Sequence, residues 1–168
     1  MNLRTGRMAA GPLAVVVSLL LASGPARAAG SDTDTITVTA TVNEDCSITT
    51  NALAFGVYDS LANSPSDAST TLDVQCTSGT SYDVLLDAGA GSGATVATRE
   101  MTAGANTLNY TLYQDAGRTT VWGDSNPNKV SGTGTGSTQA LTVYGRVFAS
   151  QAAAPGSYSD TVVATVSW

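Results

Sequence analysis

The sequence predicts an all-β sandwich. Three observations carry that prediction. Segments of strict two-residue alternation recur along the chain. They are separated by short clusters of Gly, Pro, Asn and Asp. No stretch outside the extreme N-terminus sustains a helical period. Alternation places successive side chains on opposite faces of a strand, and turn clusters at short spacing favour sandwiches over helical folds. Low charge, many β-branched residues and 17 glycines point the same way.

The N-terminus reads as a secretory signal. Arg4 and Arg7 precede an apolar run over residues 9–22, and Ala26-Arg27-Ala28 gives a small-x-small cleavage site. The run is too short for a comfortable membrane span. The domain plan is therefore a signal peptide over residues 1–28, an extension over 29–45 and one domain over 46–168. Removing the signal leaves 168 − 28 = 140 residues, with 4 basic and 13 acidic side chains, a net charge of 4 − 13 = −9. That balance argues against nucleic acid and anionic membranes, which select Lys and Arg. Cys46 and Cys76 form an even pair in an exported chain, so one disulfide between them is expected.

The most regular segment is residues 35–42, TITVTATV. Ile36, Val38, Ala40 and Val42 share one face and four threonines share the other. As a strand it would extend about 27 Å at about 3.4 Å per residue. Asn43-Glu44-Asp45 ends it as a polar hinge. Two short strands, or one broken strand, are expected over 46–49 and 53–58, then a loop over 59–69 marked by Asn63, Pro65 and Asp67. Residues 71–77 place Leu72, Val74 and Cys76 on a buried face. Residues 82–87 carry consecutive Val84, Leu85 and Leu86, expected to be buried on both sides. Residues 88–93 turn, and 94–103 are indistinct. Residues 106–114 alternate Leu108, Tyr110 and Leu112 against polar partners. A brief return strand is expected over 120–123 with Trp122, a loop over 124–128 and a flexible turn over 131–136. Residues 139–149 read as a long strand. The last strand, 158–168, sets Val162, Ala164, Val166 and Trp168 on one face. Both chain ends are thus strands lacking the Pro or Lys that usually blunts an edge.

An ordered set of motifs carries a family resemblance. It begins with Cys46, Phe55-Gly56-Val57-Tyr58 and Val74-Gln75-Cys76. The run from Tyr82 to Gly89, Arg99-Glu100-Met101 and the run from Leu108 to Asp115 follow. Trp122-Gly123, Val143-Tyr144-Gly145-Arg146 and the run from Gly156 to Val162 complete it. Together they resemble the spore coat U domain, the subunit family of archaic (Csu-type) chaperone–usher pili. The resemblance implies an incomplete immunoglobulin-like sandwich, missing its final strand and completed by a donor strand. It implies that Ile36, Val38, Ala40 and Val42 fill the groove of a neighbouring pilin subunit, with residues 43–45 as hinge. It implies that Val162, Ala164, Val166 and Trp168 border the groove as the edge for a periplasmic chaperone, which hands the subunit to an outer-membrane usher. The product would be a secreted surface fibre serving adhesion or biofilm formation. Spore-coat or matrix use of the same fold is the alternative, and a monomeric carbohydrate-binding sandwich is a further one. An isolated chain is expected to leave the N-terminal strand free.

Other chemistry has little support. The chain contains no His, so Ser-His and Cys-His nucleophile pairs are excluded. No enzyme, cofactor or metal site is expected. Asp83 and Asp87 lie four apart but read as solvated residues flanking a turn. Residues 124–128 (DSNPN) mimic the opening of a calcium loop, yet Lys129 and Thr135 stand where Gly and Glu are required. Asp32 and Asp34 read as solvated lead-in. Trp122 and Tyr113 suit a core or edge position better than a sugar platform.

Overall fold

The computed structural model describes residues 27–168. Of the expected signal peptide over 1–28, residues 1–26 lie outside the described residues. The chain divides after Thr39, and the folded body runs from Ala40 to Trp168.

Every regular element in the described residues is a β-strand. They are β1 (Cys46–Thr50), β2 (Ser66–Cys76), β3 (Ser81–Leu86), β4 (Arg99–Ala103), β5 (Asn106–Tyr113), β6 (Val130–Thr133), β7 (Gln139–Val147) and β8 (Ala164–Ser167). One sheet has the order β1-β2-β7-β5-β4 and the other β6-β3-β8, with antiparallel pairing throughout. The core lies between them. Leu72, Val74 and Cys76 from β2 and Val84 and Leu86 from β3 are buried there, as are Tyr110 and Leu112 from β5 and Val143 and Val147 from β7. This is the alternation read from the sequence, realised as two inner faces.

Cys46 and Cys76 are directly opposite in the β1–β2 register, and their sulfurs are bonded. At a sequence separation of 30, loop-closure entropy gives the crosslink about 3.5–4 kcal/mol of stabilisation in the chain-entropy picture.

Several boundaries differ from expectation, each for a physical reason. β2 begins at Ser66 inside the expected loop, because Ser66 to Val74 pair with β7. Residues 131–136 are not a free turn: β6 forms there against β3, and Gly132 leaves room for the Tyr82 ring, which a Cβ at that position would strike. Leu85 is only half-buried, since β3 keeps the simple alternation and buries Tyr82, Val84 and Leu86. The indistinct 94–103 stretch resolves into β4 from Arg99, and β7 ends at Val147 rather than 149. The return at 120–123 shrinks to a single bridge between Tyr113 and Val121.

Three stretches expected as strands are unpaired in whole or part. Residues 35–42 and 53–58 form no strand. In the last segment only β8 is laddered, with Ser159 making an isolated bridge to Thr102. A strand is stabilised by a partner's backbone and side chains, and the unpaired parts of these stretches lack one.

Candidate functional site: an open seam between the two sheets

β1 is an edge of the five-stranded sheet and β8 an edge of the three-stranded sheet. They lie against each other, yet no backbone pairing joins them. Beyond Thr50 the seam opens into a groove of about 530 Å³. One wall is residues 50–55 and the other residues 158–164, with the buried Leu72, Leu86, Leu112 and Val143 lining it from the core. It continues into a recess of about 770 Å³ between residues 53–60 and 153–158. The two share Leu53, Phe55, Met101 and Tyr158. The floor is apolar, which suits an extended strand carrying alternate apolar side chains.

The first wall rests on β7. A Cβ at Gly145 would fall 2.6 Å from Leu53 Cδ2 and 2.7 Å from Phe55 Cζ. The bare glycine thus lets both side chains lie against the sheet. Phe55 also meets the Tyr110 ring edge-on at 6.0 Å between centroids. At the far end, Tyr58 donates to the Phe148 carbonyl at 2.9 Å and accepts from Gln151 N at 3.0 Å.

The second wall is held by two carboxylates beside a few main-chain bonds, Asp87 N to the Val163 carbonyl at 3.1 Å and the Thr102–Ser159 bridge. Asp160 Oδ2 accepts from Tyr110 Oη at 2.6 Å, and Asp160 Oδ1 accepts from Ala90 N and Thr161 N at 2.8 and 2.7 Å. Gly89, at φ +83°, leaves the space this carboxylate occupies. Asp87 Oδ1 accepts from Gly89 N and Val163 N, both at 2.9 Å. Behind them Arg99, fully buried, donates to four main-chain carbonyls. Its Nε reaches Asp87 at 2.8 Å, Nη1 reaches Val96 at 2.8 Å, and Nη2 reaches Leu86 and Trp122 at 3.1 and 2.8 Å. Burial lowers the Arg99 pKa, and Tyr110 with Asp87, Asp160 and Asp124 opposes that shift.

Burial, then the hydrogen bond to Asp160, pushes the Tyr110 phenol well above its ordinary value. A raised folded-state pKa means the neutral phenol is the form the fold favours. Its contribution is whole below the unfolded value of about 10 and is lost as pH rises beyond it. Urea unfolding between pH 9 and 11.5 is expected to show this. Tyr110→Phe should be less stable than the parent by about 1.5–3 kcal/mol at pH 8, and its stability should fall less steeply above pH 10. Parallel profiles would mean that Tyr110 titrates freely in the fold.

The residues singled out from the sequence differ in their surroundings. Val162 and Ala164 line the groove; Val166 packs against the core and Trp168 is 54% exposed. Ile36, Val38 and Val42 are 89, 87 and 81% exposed, and Ala40 is exposed as well. Asp83 and Asp87 do not act together. Asp83 binds Lys129 Nζ and Ser131 Oγ, both at 2.6 Å, and these bonds, Lys129 first, hold its carboxyl below the ordinary range. Trp122 is buried with its Nε1 donating to the Val84 carbonyl at 3.0 Å, so it is a core residue and no sugar platform. Residues 124–128 form a turn closed by Asn128 N on the Ser125 carbonyl at 2.7 Å. Arg99, Asp87, Asp160 and Tyr110 were not anticipated as a group. Their partners lie up to 76 positions away, and no local spacing announces them.

Comparisons with known proteins agree with this fold. The chain is 37% identical over 164 residues to Protein U of Myxococcus xanthus, an alignment covering 89% of this chain and 91% of that one. It shares its fold with the crystal structure of the CsuC–CsuE chaperone–tip adhesion subunit pre-assembly complex from the archaic chaperone–usher Csu pili of Acinetobacter baumannii. The TM-score is 0.58 at 21% identity, covering 76% of this chain and 40% of that chain. The Spore Coat Protein U domain model matches residues 32–165, and the chain belongs to that family.

Proposed function

We propose that this protein is a structural subunit of a surface fibre, polymerised by strand donation. The observation that carries the reading is the unfilled apolar seam beside β1 and β8 on a chain whose N-terminal segment exposes Ile36, Val38, Ala40 and Val42. A donor strand from one copy enters the groove of the next. Burying the four side chains contributes about 5–8 kcal/mol, and each backbone hydrogen bond to the seam adds about 0.5–1.5 kcal/mol. The contact is head to tail and does not close, so it builds filaments.

An open apolar seam needs cover before assembly. A periplasmic chaperone fills it, bordered by Val162 and Ala164, with Val166 and Trp168 completing the edge, and an outer-membrane usher receives the subunit. Residues 1–28 direct export, and the fibre acts at the cell surface in adhesion or biofilm formation. The likeness to a subunit crystallised in a chaperone–tip adhesion complex supports the fold on which this depends.

The experiment is electrophoresis without heating, and size exclusion, of the mature chain with and without residues 29–42. Heat-labile ladders that vanish on deletion are expected. A stable monomer from the intact mature chain, produced without any chaperone, would overturn the proposal.

A second reading is favoured by the family's name and by the relationship to Protein U. It keeps the strand donation and places the polymer in a spore coat. Loss of the surface material when the usher is deleted separates the fibre from the coat.

A further inference from the structure

We propose that Thr77 is a positioning residue that aims the N-terminal strand away from the groove of its own subunit. The inference rests on the strand-donation reading. Thr77 follows Cys76 at the end of β2. Its backbone N–H donates to the Asp45 carbonyl at 2.9 Å, which extends the β1–β2 register one pair beyond the disulfide. Its hydroxyl accepts from Asp45 N at 3.2 Å and faces the Asn43 carbonyl at 3.3 Å and that of Asp45 at 3.4 Å, donating to one at a time. One side chain thereby holds both ends of the hinge against β2.

The consequence is directional. Asp45 and Asn43 continue the line of β1 past Cys46, while the groove opens at the other end of β1, from Thr50 onward. Val42 leaves the domain exposed. The alternative conformation is short and accessible. Three residues separate Val42 from Cys46, and three-residue loops commonly close β-hairpins. Such a hairpin would lay residues 35–42 along the free edge of β1, in the seam of the same subunit. A tethered strand competes at an effective concentration in the millimolar range, so an unrestrained hinge would cap its own subunit and stop polymerisation. The clamp on Asn43 and Asp45 opposes that turn.

The test compares mature wild type with Thr77→Val, Thr77→Ala and Thr77→Ser by the ratio of monomer to heat-labile ladder. Amide exchange of residues 35–42 is measured in the monomer fraction. Loss of the hydroxyl in Val and Ala is expected to raise the monomer share on the order of 10-fold and to protect residues 35–42 from exchange. Ser, which keeps the hydroxyl, is expected to match wild type. A merely structural role would lower stability without protecting that segment. An unchanged ratio with unprotected amides in both Val and Ala overturns the role of Thr77. The chain lacking residues 29–42 distinguishes the two levels. If its ladders persist, strand donation itself falls and this inference with it. If they vanish while the Thr77 variants behave as wild type, only this inference falls.

Discussion

A mature chain carrying Val38→Asp is expected to form no heat-labile ladder, with capture of its N-terminal strand weakened at least 10³-fold. Val38 is 87% exposed in the free chain, so the substitution leaves the folded body untouched. In the donated state its side chain would enter a groove floored by Leu72, Leu112 and Val143. Burying a carboxylate without a partner costs several kcal/mol, even after partial neutralisation. That is most of the 5–8 kcal/mol that the four apolar side chains supply.

Every basic side chain of residues 46–168 is already engaged. Four basic residues lie in the domain. Arg99 is spent on carbonyls, Arg118 and Arg146 pair with Asp67 at 3.3 and 2.7 Å, and Lys129 pairs with Asp83. Thr37→Asp, on the opposite face, should assemble nearly as wild type. The variant also has a distinctive behaviour in mixtures. Its groove is intact while its donor is not, so it should accept a wild-type strand and end the chain, shortening ladders in proportion to its fraction. Ladders of normal length from Val38→Asp alone would exclude residues 35–42 as the donor.

The places where the sequence misled are informative because they coincide. β2, β5 and β7 were legible from alternation, since each has a neighbour on both sides. Residues 35–42, 53–58 and most of 158–163 carry the same strand chemistry and form no ladder. The last two flank the groove and the first is the proposed occupant. Side-chain pattern records what a segment is built to pair with, and pairing itself waits on a partner. β6 was hidden for another reason: Gly132 and Gly134 read as turn residues, yet they serve close approach to Tyr82 and to the Cys76–Thr77 backbone. The carboxylate supports of the second wall were illegible because each is a single residue with a distant partner, outside any period.

Arg99 is the clearest of these hidden residues, and its replacement by Met is expected to destabilise the domain by about 4–6 kcal/mol. The guanidinium serves four carbonyls drawn from three separate stretches: Val96 beside β4, Leu86 and Asp87 at the end of β3, and Trp122. β4 and β3 belong to different sheets, so the side chain staples the sandwich at this end. Met fills a similar volume but donates nothing, and each buried carbonyl left unpaired costs about 1–3 kcal/mol. Against a typical total of about 5–15 kcal/mol, that is enough to unfold much of the population at 37 °C. Arg99→Lys should recover little, because a point ammonium cannot reproduce a planar fork with four directed bonds. The loss should extend to the groove, since Arg99 positions Asp87 and Asp87 holds Val163. Urea unfolding followed by circular dichroism measures the first effect. Capture of a synthetic peptide of residues 33–44 by the chain lacking residues 29–42 measures the second, at a temperature where the variant is still folded. An unfolding free energy within 1 kcal/mol of wild type would show that the four carbonyls find other donors, and that the second wall stands without the arginine.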